Sequence, residues 1–121
     1  VFNGRAGLEL TDNLRAGCAG MIPGGETVDV QKRIFDLMAS GDPAKLEEAE
    51  DLYRKLLPIV VFMMQSLENF LCYGKLLAAA RFGISGTSAR TPSVAANAFG
   101  VASLRNAARA LYGDLALSAV Q

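Results

Sequence analysis

Cys18-Ala19-Gly20-Met21-Ile22-Pro23-Gly24-Gly25 is the stretch on which the reading of this chain turns. A small apolar run closed by Pro-Gly-Gly reads as a buried strand and the loop that ends it. Upstream, Val1-Phe2-Asn3-Gly4 reads as the last residues of another buried strand, stopped at a glycine-marked turn. Between the two, Leu8, Leu10 and Leu14, with Thr11 and Asp12 as early polar positions, outline a short amphipathic helix that stops at Gly17. Strand, helix and strand in so few residues make a βαβ unit, which predicts a parallel sheet covered on both faces. Two such strands alone form only a marginal sheet and leave unpaired edges. The further strands are therefore expected from residues upstream of Val1 or from another chain. Val1 itself reads as a cut end, because no initiator Met, basic n-region or apolar h-region stands there.

Beyond Thr27 the pattern is helical throughout. Val28, Ile34, Leu37 and Met38 recur at helical spacing as far as Ser40-Gly41-Asp42-Pro43. There Gly41 ends one helix, Asp42 caps the next and Pro43 occupies its first turn. From Pro43 onward Leu46, Ala49, Leu52, Tyr53 and Leu56 line one face, while Glu47, Glu48, Asp51 and Lys55 line a solvated one. Pro58 is expected to break or kink that rod. Ile59 to Phe82 then reads as a long apolar helix ended by Gly83. A Gly, Ser and Thr-rich loop carries Arg90-Thr91-Pro92, and a last helix runs from about Phe99 to Tyr112, stopped by Gly113.

Composition narrows the chemistry. Of the 121 residues 51% are hydrophobic, which suits a packed core and argues against disorder. Twelve basic and twelve acidic side chains cancel, so no electrostatic footprint points to nucleic acid or to an anionic membrane. With no histidine, the commonest general base and metal ligand is missing, and neither a metal site nor a cofactor is expected. Cys18 and Cys72 are far apart and flanked by apolar residues, which suits buried thiols in a reducing compartment. Pro58 lies in an uncharged apolar stretch, Leu56 to Leu67, and that stretch is well short of the ~20 residues of a membrane-spanning helix. A cytoplasmic chain is the expectation.

Three stretches, taken together and in order, resemble the C-terminal portion of the dihydrodipicolinate synthase and N-acetylneuraminate lyase family. They are Asn3-Gly4 with Leu14-x-x-Gly17-x-x-Gly20-Met21-Ile22; Gly41-Asp42 with the Ala49 to Pro58 helix; and Lys75 through Gly83-Ile84 to Arg90-x-Pro92. The resemblance implies an α/β fold, the C-terminal part of a (β/α)₈ TIM barrel. Residues 1–42 would hold barrel strands seven and eight with their helices, and residues 43–121 a C-terminal helical extension. A whole barrel of this class takes about 250 residues, so the remainder of the barrel becomes an implied partner.

The same resemblance implies a lyase whose lysine forms a Schiff base with a 2-keto acid such as pyruvate, with a tyrosine moving protons. The iminium is an electron sink for the carbanion formed next to the former keto carbon. Both groups are expected upstream of Val1, leaving this chain inert when alone. Of its own lysines, Lys75 matches a family position outside the barrel mouth, and Lys32, Lys45 and Lys55 fall on polar helix faces. A homo-oligomer, as in the family's tetramers, is implied too. Gly20-Met21-Ile22-Pro23-Gly24, with Gln65-Ser66-Leu67-Glu68 and Tyr73-Gly74-Lys75, is most similar to the branch that dehydrates 2-keto-3-deoxy sugar acids. An aldolase or a dihydrodipicolinate-type synthase is the alternative within the class, and a non-catalytic helical interaction module the alternative outside it.

Four residues are candidates for substrate contact. Gly4 matches the family glycine after strand seven, where backbone approaches substrate, and reads equally as a turn glycine. Ile22 matches the residue whose backbone carbonyl faces the keto acid, its side chain being assigned to the core. Arg5 and Glu26 follow the two strand ends, where a guanidinium grips a carboxylate and a carboxyl holds a hydroxyl or moves a proton. Surface or structural pairing is the plainer reading of both. Ala6, Gly7 and Gly24 stand where sialic-acid lyases carry polar groups, which argues against a long polyhydroxylated substrate. Gly24-Gly25 ahead of a helix is also a weak candidate for cradling an anion on backbone N–H groups.

Overall fold

The computed structural model describes residues 1–117. Strand β1 (Phe2–Asn3) leads through α1 (Leu10–Arg15) to β2 (Gly20–Met21), and a 3₁₀ turn (Gly25–Thr27) leads into α2 (Val28–Ala39). Then follow α3 (Pro43–Met63), α4 (Leu67–Phe82) and α5 (Ala98–Tyr112). The two strands pair in parallel, Phe2 opposite Gly20 and Asn3 opposite Met21. Flanking bonds lengthen the ladder slightly: the Ala19 N–H donates to the Val1 carbonyl and the Ile22 N–H to the Asn3 carbonyl, both at 2.9 Å.

This architecture corrects the expected fold class. Strands seven and eight of a (β/α)₈ barrel are not what forms; the described chain is a small, mostly helical domain with two short parallel strands. Each strand is cut short by local chemistry. After β1 the Asn3 side chain accepts the Arg5 N–H at 2.8 Å, and Ala6 and Gly7 take φ of 57° and 91°, which turns the backbone out of extension. After β2, Pro23 has no N–H to give to a ladder. The helices meanwhile bury their apolar faces on one another.

Two apolar clusters result, and α3 serves both. Its Leu56 and Val60 join Leu10, Ile34, Leu37 and Ala49 in a cluster with α1 and α2. Its Ile59 and Met63, on the adjoining face, join Tyr73, Leu77, Val101, Leu104 and Ala108 of α4 and α5. Met21 alone of the strand residues packs against either cluster, and only from the margin.

The helix ends follow their caps. The Asp42 carboxylate accepts the Ala44 N–H at 3.0 Å with Pro43 in the first turn, as the sequence predicts. Pro58, expected to break or kink the rod, does not break it: it lies inside α3, which continues to Met63. A proline removes one helical hydrogen bond, and buried Leu56, Ile59 and Val60 on either side hold the helix together. The break falls later, where the Ser66 hydroxyl accepts the Asn69 N–H at 3.0 Å and starts α4.

Candidate functional site

Parallel strands end on one side, and the loops leaving them there are free to wall a ligand site. In this chain Gly4 leaves β1 and Ile22-Pro23-Gly24 leaves β2, and together they line a cleft of about 440 Å³. Met64, Leu67 and Phe70, from the α3–α4 junction and α4, form its opposite wall. The lining is largely apolar with backbone polar groups at the strand ends, a usual composition for a small-molecule site. No helix among the described residues is long and apolar enough to cross a membrane. No group of three or more His, Cys, Asp or Glu among them could hold a metal ion.

The four candidate residues separate. Gly4 and Ile22, 18 positions apart in the chain, are brought to the same cleft by the parallel pairing of the residues just before them. The Ile22 side chain is 62% exposed, so its expected place in the core is corrected: the residue lies at the rim, beyond the helices that would cover it. Arg5 turns along the surface and pairs with Glu9 at 2.6 Å, which is the structural pairing that competes with a role in carboxylate binding. Glu26 goes the other way and is buried, 5% exposed.

Glu26 occupies the 3₁₀ turn directly behind the cleft wall. Its carboxyl fills the space over Gly24 that a Cβ would need, and only glycine leaves that space open. The Oε1 atom has no hydrogen-bond partner. Burial pushes this carboxyl above the ordinary carboxylate range, against a smaller opposing pull from its own backbone N–H. The nearest guanidinium is committed elsewhere. Arg81 of α4 donates Nη1 to the Glu26 backbone carbonyl at 2.6 Å and to Asp29 Oδ1 at 2.8 Å, and Nη2 to Asp29 Oδ2 at 2.6 Å. Its hydrogen bond to Arg81 holds the Asp29 carboxyl below the usual range. The Arg81 guanidinium also lies 4.0 Å from the centre of the Tyr112 ring, whose phenol burial pushes up to about 12.

Gln31 of α2 supports the other strand exit. It is 3% exposed, and its Nε2 donates to the Ala6 carbonyl at 2.8 Å and to the Thr27 hydroxyl at 3.0 Å. The sequence reading passed over it, along with Arg81 and Tyr112. A glutamine in an amphipathic helix gives no sign of reaching a carbonyl 25 residues earlier; the one usable signal was Gly7, which takes a left-handed turn without steric cost.

The lysines stay clear of the cleft lining. Lys32 pairs with Asp36 at 2.6 Å, Lys55 with Asp51 at 2.9 Å, and Lys75 donates to the Ser88 carbonyl at 2.7 Å, while Lys45 is exposed. Cys18 and Cys72 are free and half-buried, and burial raises the Cys72 thiol. The anion cradle imagined at Gly24-Gly25 has a carboxyl as its nearest side-chain group. Comparison with protein-family models, with curated proteins and with solved structures finds no match to this chain.

Proposed function

We propose that this chain contributes the substrate-cleft rim of a Schiff-base-forming lyase acting on a 2-keto acid, a 2-keto-3-deoxy sugar acid dehydratase being the best fit to its motifs. The observation that carries the reading is the convergence of Gly4 and Ile22-Pro23-Gly24, the segments that resemble the family's strand-end loops, on one cleft. A keto acid is compact enough for a cleft of this size, and its carboxylate would need donors from backbone N–H groups at the strand ends or from residues outside this chain. An amine from outside these 121 residues would condense with the ketone, lose water and form the iminium that stabilises the neighbouring carbanion. The chain's own lysines are unsuited, since each is engaged or solvated away from the cleft.

Treatment with pyruvate and borohydride tests this directly. The isolated chain is expected to keep its mass, and the longer gene product to gain a reduced pyruvyl adduct on a lysine outside residues 1–121. Labelling of Lys32, Lys45, Lys55 or Lys75 overturns the assignment. Products then separate the reactions: a dehydratase releases water with the carbon skeleton intact, whereas an aldolase or a synthase breaks or makes a carbon–carbon bond.

A second reading, a non-catalytic helical module, has one observation in its favour. Val61 and Leu71 are 48% and 44% exposed, and Leu67 is 69% exposed, all near the α3–α4 junction. Self-association that disappears in Leu67→Lys, with no keto-acid binding at the cleft, would favour the module.

A further inference from the structure

We propose that Glu26 is a positioning residue for the cleft wall: its protonated carboxyl holds the Pro23-Gly24-Gly25 loop closed against the 3₁₀ turn, and loss of that proton releases the loop. The inference rests on the strand-end cleft being the ligand site, and not on which ligand fills it. Three features lead to it. The carboxyl is buried, one of its oxygens has no partner, and it packs into the space that glycine leaves at position 24 of the wall itself.

The charged groups around Glu26 do not relieve its ionised form. From α2 comes Asp29, an anion already clamped to Arg81. From α4 comes Arg81, which donates to Asp29 and to the Glu26 backbone carbonyl. From α5 comes Tyr112, a neutral phenol whose hydroxyl also has no partner. Gly74 of α4 and Met63 of α3 bring no charge to the carboxyl. An ionised Glu26 is therefore a desolvated charge without a counter-ion, and turning out to water is its way to regain solvation.

The sign follows. The folded-state pKa is raised, so the closed loop is fully favoured below the ordinary carboxylate pKa and is lost as pH rises through the higher folded value. The released proton goes to solvent, and no other bond changes. An anionic ligand would feel the same switch, since the protonated form places no negative charge behind Gly24.

Nitrogen-15 and side-chain carboxyl carbon-13 NMR of the chain, titrated with pH, tests the proposal without any ligand. The Glu26 carboxyl and the Gly24, Gly25 and Thr27 amides are expected to titrate together, above the ordinary glutamate value of about 4.3. Hydrogen exchange at those amides, corrected for its intrinsic pH dependence, should quicken by up to about tenfold per pH unit between the ordinary glutamate value and that inflection, and level off above it. In Glu26→Gln both effects should vanish while the loop stays closed at all pH. A Glu26 carboxyl that titrates at the ordinary value, or loop amides that keep their pH dependence in Glu26→Gln, overturns the proposal. The carboxyl measurement on the unaltered chain decides the matter by itself if that variant does not fold. Adding pyruvate gives a separate reading: the proposal expects binding that weakens as pH rises in the unaltered chain and not in Glu26→Gln. Failure of pyruvate to bind at any pH counts against the keto-acid function, with the ligand-free titration still deciding the role of Glu26.

Discussion

The two strand exits are built on the same plan and stabilised in different ways. At each, a long polar side chain from the segment that begins at the 3₁₀ turn reaches back under the loop and fills the space a glycine leaves: Gln31 at Gly7 and Glu26 at Gly24. Gln31 is a neutral amide whose Nε2 bonds the Ala6 carbonyl and the Thr27 hydroxyl; its Oε1, like that of Glu26, has no partner, so the difference between the two lies in the anchoring Nε2 bonds and in the charge. Glu26 is an acid, with an oxygen left unpartnered and Arg81 bonded to its backbone carbonyl in place of its carboxyl. A bonded amide fixes its loop at any pH, whereas a buried acid fixes its loop only while protonated. One exit is thus a fixed support, and the other depends on solution conditions.

Substitutions at the glycines and the amide probe that contrast. Gly7→Ala should have the largest effect, about 3 kcal/mol of lost stability in urea unfolding, because the backbone there is left-handed and a Cβ also overlaps the Gln31 amide. Gln31→Leu should cost about 2 kcal/mol by the same measurement, since it strands the buried Ala6 carbonyl. Gly24→Ala should cost least, about 1 kcal/mol, because φ of −73° suits alanine and the overlap is with the movable end of Glu26. That last cost should disappear when Glu26 is also replaced by Ala, as a double-mutant cycle would register. An equal penalty for the two glycine changes would erase the distinction between the exits.

Much of the helical half was legible because its signals are local. Asp42-Pro43 announces a helix start through two neighbouring residues, and Gly83 announces an end, taken up at φ of 66°. Pro58 does not end the helix because, while a proline's local penalty is visible in sequence, the packing of Ile59 and Val60 that outweighs it comes from distant elements. Ser66, four residues before Phe70 and just ahead of an apolar run, was the better boundary and has the usual N-cap chemistry. The parallel pair was also legible, as two short strands joined by a helix; its register was not. What did not follow from it was a barrel: the βαβ pattern fixes strand direction, and the number of strands depends on contacts a two-strand pattern does not contain.

The site shows the same division. Gly4 and Ile22 could be placed together because both simply follow a strand. The fates of Arg5 and Glu26 depended on partners. Glu9 is only four residues from Arg5 and was within reach of sequence reasoning. The burial of Glu26 arises from α4, some 50 residues later, and has no local signature.

Arg81 carries one further consequence. A single side chain on α4 grips the 3₁₀ turn through Glu26, the start of α2 through Asp29 and the face of α5 through Tyr112. Each grip lies on a different element, so none of the three can drift without pulling on the others. The guanidinium works as a rivet, fastening the turn behind the cleft to the last helix of the stack.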